Sequence, residues 1–383
     1  MIRLENVAKR YPDGTVAVHD LSLEVGDGQV CVLVGPSGCG KTTTMRMINR
    51  LVEPTGGRIF IGDDDVTRVD PVQLRRRVGY VIQQVGLFPH QTIGDNVATV
   101  PSLLGWPRAR LRERTDELLT LVGLDAATTR DRFPSQLSGG ERQRVGVARA
   151  LAADPPIMLM DEPFGAVDPI VRERLQNEFL RLQEELAKTI IFVTHDIDEA
   201  IKMGDLVAVM QVGGHLAQFG PPAEILANPA NDFVARFVGA DRGLKRLSLS
   251  RVGELELATP TVAHPGDDAA AVRRALWNDP MRSALVVDAA NRPIGWVDER
   301  AIPREGVLTE DLAVGASPLL DRRTTLKDAL SMLLDADVQA GLVVDRTGAL
   351  LGLVTADTIA AFMRDPGQPA RELEAPPEPG PQT

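Results

Sequence analysis

Short apolar segments with the periodicity of β-strands dominate the first part of the chain. Four such segments come early: residues 2–7, 17–25, 30–34 and 58–61. The third, VCVLV, is apolar at every position, which is expected of a strand buried on both faces of a parallel sheet. A helical pattern over residues 41–51 follows it directly. This arrangement predicts a strand, a tight turn and a helix in immediate succession.

Two further apolar strands, at residues 157–160 and 190–193, alternate with helical patterns. Strands that alternate with helices favour a mostly parallel sheet covered by helices on both faces, which is an α/β fold. Long helical stretches over residues 108–122 and 141–151 interrupt this alternation. We interpret residues from about 88 to 153 as a helical insertion into the α/β core.

The last third of the chain contains an internal repeat. Residues 284–297 (ALVVDAANRPIGWV) align without gaps with residues 341–354 (GLVVDRTGALLGLV). Each copy has the pattern helix, strand, turn, strand, helix, and two copies of such a unit commonly bury each other's apolar faces. The predicted divisions are a first domain over 1–239, a connector over 240–256, a duplicated module over 257–364 and a tail over 365–383. We expect the tail to be disordered because it is rich in Pro, Glu and Gly.

The 383-residue chain carries a formal net charge of −11, and its pI is near 5.1. This balance argues against nucleic acid as a partner, because phosphate recognition needs a basic face. The two cysteines, Cys31 and Cys39, form neither a disulfide framework nor a metal-ligand spacing, as in a reducing cytosol. The N-terminus has no signal-peptide pattern, and no apolar run approaches the roughly 20 residues that cross a bilayer. We therefore expect the chain itself to be a cytoplasmic protein.

The turn after the third strand fits the phosphate-loop pattern G-x-x-x-x-G-K-[ST]. Glycines allow backbone N–H groups to converge on phosphates, and the N-terminus of the next helix adds a positive partial charge. In this pattern the lysine reaches the β- and γ-phosphates, and the last hydroxyl holds Mg²⁺. A glycine-rich turn without a ligand is the alternative, but the strand, turn and helix context favours ATP binding. The residues of the loop are Gly35, Pro36, Ser37, Gly38, Cys39, Gly40, Lys41 and Thr42.

Two adjacent carboxylates, Asp161 and Glu162, end a later apolar strand. Asp161 is suited to binding Mg²⁺ through water, and Glu162 to orienting or deprotonating the attacking water. Taken alone, the pair fits a surface acidic turn equally well. Together with the phosphate loop, it indicates ATP hydrolysis.

The segment Leu137-Ser138-Gly139-Gly140-Glu141 precedes a helical pattern. Ser138 and Glu141 have the spacing of a capping box, in which each caps the other's backbone N–H. A capping box does not require two glycines, however. Here Gly139 and Gly140 leave the helix N-terminus bare enough for a second phosphate to approach.

With these motifs in this order, residues 1 to about 239 closely resemble the ATP-binding cassette (ABC) ATPase family, whose signature segment is similar to residues 137–141. The resemblance implies a RecA-like P-loop core with an antiparallel β-subdomain and a helical subdomain. It also implies that Ser138, Gly139 and Gly140 of one subunit close over the ATP of another. Hydrolysis would then need a head-to-tail homodimer.

The resemblance further assigns roles to single residues that match the family's motifs. Tyr11 would stack on adenine, and Thr43 would lie beside the phosphates. Gln83 would contact Mg²⁺ and the attacking water, and His195 would contact the γ-phosphate. Asp168 belongs to the loop that communicates between protomers.

An ABC cassette serves an importer, an exporter or a soluble protein that acts on ribosomes or DNA. This chain has no membrane helices, no second cassette and no room for a long coiled coil between Lys41 and Leu137, so it resembles a subunit that docks on a separate membrane permease. Such a subunit works at the cytoplasmic face of the bacterial inner membrane. We expect residues 86–90 and the helical insertion to form the groove for the permease, unless residues 87–89 are ordinary core.

The duplicated module resembles a tandem pair of cystathionine-β-synthase (CBS) domains. After an ABC cassette, such a pair is characteristic of importers of quaternary amines such as glycine betaine, proline betaine, carnitine and choline, and residues 79–90 are similar to that subfamily. An extracytoplasmic binding protein would select the substrate. The alternatives are an importer of another small solute and a soluble ABC ATPase that acts on nucleic acid or ribosomes.

CBS pairs often bind adenine nucleotides through a threonine followed three residues later by an aspartate. Here Thr355 is followed by Asp357, and Asp298 occupies the threonine position in the first copy, where it would repel phosphate. The family's alternative role is sensing of ionic strength through a basic cluster at anionic lipid. The basic residues are Arg273, Arg274, Arg282, Arg322, Arg323 and Lys327, and a solvated surface explains them equally well.

Overall fold

A computed structural model describes residues 1–82, 86–165, 169–279, 281–336 and 340–364, without the side chains of residues 171 and 278. The chain divides into two units, Met1–Ala240 and a second that begins at Asp241. Across the residues described, no helix is long and apolar enough to cross a membrane.

The first unit contains the α/β core. In chain order its elements are β1 (Ile2–Arg10), β2 (Val16–Val25), β3 (Val30–Val34), α1 (Lys41–Ile48), β4 (Gly56–Ile61), β5 (Asp64–Asp65), α2 (Pro71–Arg76), β6 (Val78–Val81), α3 (Ile93–Val97), α4 (Thr99–Leu103), α5 (Arg108–Leu121), α6 (Ala126–Thr129), α7 (Gly139–Leu151), β7 (Ile157–Asp161), α8 (Pro169–Leu186), β8 (Thr189–Thr194), α9 (Ile197–Met203), β9 (Leu206–Gln211), β10 (His215–Gly220), α10 (Pro222–Ala227) and α11 (Asp232–Val238).

Two sheets organise this unit. A four-stranded antiparallel sheet has the order β2-β1-β4-β5, and a six-stranded sheet has the order β10-β9-β3-β8-β7-β6. In the larger sheet only β10 runs antiparallel to its neighbour. All five residues of β3 are buried at its centre, as their unbroken apolar sequence predicts. The carboxyl ends of β3, β7 and β8 therefore meet at one edge of the sheet.

The helical insertion that we predicted is present as α3 to α7, between β6 and β7 of the large sheet. α7 packs against α3, α5 and β6. The α/β fold class, with an antiparallel sheet and a helical subdomain, is confirmed.

The second unit is built from the repeat. In chain order its elements are α12 (Arg242–Leu249), β11 (Val262–Ala263), α13 (Ala269–Ala275), β12 (Ser283–Val287), β13 (Pro293–Asp298), β14 (Val314–Gly315), β15 (Leu319–Leu320), α14 (Leu326–Leu334), β16 (Ala340–Val344), β17 (Leu350–Thr355) and α15 (Ala356–Arg364). The two copies have the same strand register, because Ser283 pairs with Asp298 in one copy and the equivalent Ala340 pairs with Thr355 in the other. Leu285 and Trp296 pack in one buried cluster with Leu342 and Leu353, so the copies bury each other's apolar faces.

The segment over 240–256, which we predicted as a connector, contains α12, and most of it belongs to the second unit. α12 packs against α14 and α15, and both Leu247 and Val252 are fully buried in the core of the second copy. The apolar positions of this short segment find their partners far along the chain, so local sequence did not reveal its packing. The tail over 365–383 lies outside the described residues.

Candidate functional site

The phosphate loop leaves the end of β3 and enters α1. Gly35 lies very close to β9, the neighbour of β3 in the sheet. A Cβ atom on Gly35 would lie 2.2 Å from the carbonyl oxygen of Met210 on that strand. Gly40, the N-cap of α1, has φ +99°, and its Cβ would lie 2.2 Å from the carbonyl oxygen of Ala17. A side chain at either position would displace the loop. These two glycines are therefore required by the close approach of backbone to backbone.

Lys41 is the first residue of α1 and is buried, with 6% of its surface exposed. Its ammonium group donates hydrogen bonds to the carbonyl oxygens of Gly35, at 2.7 Å, and of Pro36, at 3.1 Å. The loop thus wraps around a buried cation, while Ser37 and Gly38 remain exposed at its outer side. A buried lysine beneath a glycine-rich turn at a helix N-terminus is suited to an anionic phosphate chain.

Thr42 and Asp161 lie together where α1 meets the end of β7. The Thr42 hydroxyl donates to Asp161 Oδ1 at 3.2 Å. Burial raises the pKa of Asp161, and the nearby Glu162 charge adds to this, while the Thr42 hydrogen bond lowers it. Hydroxyl and carboxylate oxygens are the ligands that Mg²⁺ prefers, so this pair fits that ion.

Sequence analysis missed two neighbours of this pair. Burial, followed by the charge of Asp161, raises the pKa of Tyr80 on β6, while the Arg46 guanidinium, which can only donate to the tyrosine oxygen, lowers it. The Arg46 side chain projects from α1, one turn after the phosphate loop. Its spacing from Thr42, a single helical turn, is the signal that could have identified it.

Glu162 and His195 form the second contact of the site. His195 Nδ1 lies 3.1 Å from Glu162 Oε1, and the two side chains are 61% and 21% exposed. Glu162 has a left-handed backbone, φ +44°, and its N–H donates to the carbonyl oxygen of Val193 at 2.9 Å. Non-glycine residues with positive φ are uncommon and often mark functional sites. Because β7 and β8 are parallel neighbours, their ends bring these two side chains together.

The Tyr11 side chain lies in the turn between β1 and β2, the hairpin whose Ala17 approaches Gly40. The Lys9 ammonium is 5.2 Å from the centroid of the Tyr11 ring, a cation–π contact. Gln83 and Asp168, two further predicted site residues, lie outside the described residues.

The predicted capping box at the start of α7 is confirmed. The Ser138 hydroxyl accepts from the Glu141 N–H at 3.3 Å, and Glu141 Oε2 accepts from the Ser138 N–H at 2.8 Å. The hydrogen bond from the Ser138 hydroxyl, and then that from its backbone, lower the pKa of Glu141. A Cβ on Gly139 would meet nothing within 4 Å, so packing within this chain does not explain a glycine there.

In the second unit, the two side chains at the positions where a nucleotide would bind form hydrogen bonds with neighbouring residues. The Thr355 hydroxyl lies 2.9 Å from that of Thr358, and Asp298 accepts from the Arg300 N–H. Two of the basic residues that we considered as sensors of ionic strength form ion pairs with the same acid. Arg282 Nη1 lies 3.1 Å from Glu299 Oε2, and Arg273 Nη2 lies 3.7 Å from Glu299 Oε1. These two arginines already have an anionic partner within the unit.

This combination of a phosphate loop, paired carboxylates and a capped glycine signature defines an ATP-binding cassette. The sequence profile of the ABC transporter family matches residues 18–165, and that of the CBS domain matches residues 314–365. A dimeric ATP-binding cassette, MJ0796 bound to ADP and phosphate, is 33% identical in sequence with a TM-score of 0.52. The similarity covers 58% of this chain and 99% of that one.

Several relatives match nearly the whole chain, and two of them illustrate the similarity. The osmoprotectant import ATP-binding protein OsmV of Salmonella typhimurium is 44% identical over 95% of this chain and 96% of its own length. The glycine betaine/carnitine/choline transport ATP-binding protein OpuCA of Bacillus subtilis is also 44% identical, over 95% of this chain and 97% of its own. The chain therefore belongs to the ABC transporter family, among the ATP-binding subunits of import systems. Its enzymatic activity is that of an ATPase coupled to transport.

Proposed function

We propose that the chain hydrolyses ATP to power import of an osmoprotectant quaternary amine, of the glycine betaine, proline betaine, carnitine and choline type, through a separate membrane permease. The observation that carries this proposal is the full-length match to import subunits named for such solutes. The CBS pair contributes regulation, by an ionic or a nucleotide signal. An extracytoplasmic binding protein delivers the amine, so this chain acts on ATP alone.

The site geometry supports a division of roles in hydrolysis. Lys41 would contact the β- and γ-phosphates, and Thr42 and Asp161, together with Gln83, would hold Mg²⁺. The bound ion would supply positive charge against the charge that develops on the phosphates. Glu162 accepts a hydrogen bond from the attacking water, orients it in line with the γ-phosphate and takes up its proton as the new phosphorus–oxygen bond forms and the bond to ADP breaks.

His195 is the partner of Glu162 in this scheme. At 3.1 Å its Nδ1 holds the Glu162 carboxylate in place, while its exposed ring remains available to the γ-phosphate. Tyr11 stacks on adenine.

The active form in this proposal is a homodimer in which two chains complete each site. Ser138, Gly139 and Gly140 of one chain approach the ATP held by the phosphate loop of the other, and Asp168 lies in the communicating loop. The open space around Gly139 supports this arrangement, since none of the described residues comes within 4 Å of a Cβ placed there. Phe88, Leu103 and Leu104 are exposed apolar side chains of the insertion region and support a contact with the permease there.

The test is Glu162→Gln in the chain co-expressed with its permease and reconstituted in vesicles. We expect ATP hydrolysis and uptake of labelled betaine to fall at least about 100-fold, because the amide cannot take up a proton, while ATP binding persists. Glu185→Gln, an exposed acid on α8, is the control with the same charge change. Normal hydrolysis by Glu162→Gln would refute the catalytic assignment.

Two alternatives give different results in the same system. An importer of another small solute would hydrolyse ATP but fail to accumulate betaine, carnitine or choline. A soluble ABC ATPase that acts on nucleic acid or ribosomes would be retained on DNA or RNA at physiological salt. The net charge of −11 opposes that retention.

A further inference from the structure

Glu199 is a buried acid that the site described above does not use. It lies on α9, one helical turn beyond His195, and only 8% of its surface is exposed. An acid at this depth is costly unless other groups hydrogen-bond to it. Burial raises the pKa of Glu199, and hydrogen bonds from Thr194 and then Gln176 lower it.

The partners of Glu199 come from two segments that flank the catalytic pair. Thr194, 2% exposed, is the last residue of β8 and directly precedes His195. Its hydroxyl accepts from the Asp196 N–H at 3.1 Å, and Asp196 Oδ1 in turn accepts from the N–H groups of Asp198, at 2.8 Å, and Glu199, at 3.4 Å. The Thr194 hydroxyl also acts as a donor that lowers the pKa of Glu199. His195 therefore lies inside a turn that is closed by side-chain hydrogen bonds on both sides.

The second segment is α8, the helix that follows the Glu162 loop. Gln176 Nε2 donates to Glu199 Oε1 at 3.1 Å, and only 7% of the Gln176 surface is exposed. The charge of Arg172, one turn earlier on the same helix, also stabilises the ionised Glu199. One buried carboxylate thus links the helix that follows His195 to the helix that follows the Glu162 loop.

We propose that Glu199 is a positioning residue for ATP hydrolysis, which holds the His195 turn against α8 and thereby fixes the contact between His195 and Glu162. The proposal rests on the hydrolytic roles given above for those two residues. Hydrogen bonds in a low-dielectric interior are strong and directional, so the buried bond from Gln176 to Glu199 defines one geometry where apolar packing would tolerate several. The His195 side chain, by contrast, is 61% exposed.

The test compares Glu199→Ala with Glu199→Gln in the full chain with its permease. The alanine leaves Thr194 and Gln176 without their acceptor, and we expect kcat to fall about 10- to 100-fold while KM for ATP stays within about twofold. The glutamine is isosteric and still accepts from the Thr194 hydroxyl, while its amide donates to a flipped Gln176, so kcat should stay within about threefold of the parent. Glu185→Gln on α8 is the control.

A second measurement follows the magnetic resonance signal of the His195 ring and does not depend on ATP hydrolysis. In a chain with carbon-13-labelled histidines, His195→Ala identifies the His195 ring resonance. We expect Glu199→Ala and Gln176→Ala to shift that resonance, and Glu199→Gln and Glu185→Gln to leave it in place. Gln176→Ala also serves if Glu199→Ala does not fold.

The outcomes separate the two proposals. If the parent chain does not hydrolyse ATP, the proposed function fails, whereas a shifted His195 resonance would still support the positioning role. If the parent hydrolyses ATP but Glu199→Ala retains its kcat and its His195 resonance, the positioning proposal is wrong. It is also wrong if the alanine and glutamine variants lose activity equally.

Discussion

Backbone conformation at single residues determines the shape of this ATP site. Gly35 and Gly40 lie where neighbouring carbonyl oxygens leave no volume for a Cβ, and Glu162 adopts positive φ despite its side chain. A left-handed non-glycine residue costs about 1–2 kcal/mol relative to the right-handed region. The surrounding strands must stabilise Glu162 in that conformation, and its hydrogen bond to Val193 is one visible contribution.

We predict that Gly40→Ala destabilises the first unit by about 2–4 kcal/mol, because positive φ and a 2.2 Å clash with Ala17 act together. The control is Gly62→Ala, at φ +58° with nothing within 4 Å of its Cβ, which should cost about 1 kcal/mol. Denaturant unfolding measures both changes, and ATP titration should show weakened binding for Gly40→Ala alone. Equal unfolding midpoints for the two variants would contradict this interpretation of the loop.

Helix caps connect sequence to structure most directly at the scale of elements. The spacing of Ser138 and Glu141 predicts the start of α7. The aligned sequences of the two repeats predict that the strand pair of one copy has the same register as the strand pair of the other. Both patterns are local in sequence. The contact of Glu162 with His195 joins two loops that are distant in sequence. Glu199 likewise looks like an ordinary helix acid until α8 covers it. Such contacts depend on the order of strands in the sheet, which local patterns do not specify.

We predict that Ser138→Ala lowers stability by about 1 kcal/mol and also lowers ATPase activity, because the same residue caps α7 and belongs to the signature. Thr325→Ala is the matched control, since Thr325 caps α14 with Asp328 in the second unit. It should cost similar stability and leave hydrolysis by the full complex unchanged. Thermal unfolding and ATPase assays compare the two. Equal activities would argue that the serine is only a cap.

The same cap predicts a pH dependence. The pKa of Glu141 is lowered below its ordinary value of 4.5. The ionised carboxylate therefore adds to the free energy of unfolding above pH 4.5, and this stabilisation is lost as the pH falls through the lowered pKa. The stability difference between the parent and Ser138→Ala should therefore shrink in acid. Denaturant unfolding in a series of buffers from pH 7 down through the acid range tests this, and a difference that stays constant over the whole series would exclude the carboxylate as a capping partner.

At the scale of the whole molecule, the boundary between units determines which fragments fold. Among the described residues, the core cluster of the first unit is drawn from the Met1–Ala240 unit, whose last helix buries Val234 and Val238. Leu247 and Val252 instead pack with Leu320, Leu326 and other residues of the second copy. A fragment that keeps α12 but lacks the second copy would expose these side chains.

We therefore predict that a chain ending at residue 240 is monodisperse and binds ATP with the affinity of the full chain. A chain ending at residue 256 should bind ATP equally well but self-associate, since α12 then presents an unpartnered apolar face. The double substitution Leu247→Ser and Val252→Ser in that longer fragment should restore monodispersity, because it removes the exposed apolar groups. Light scattering and binding of a hydrophobic dye measure the difference. If the two fragments behave alike, α12 does not depend on the second copy, and residues 240–256 would act as the connector that their sequence first predicts.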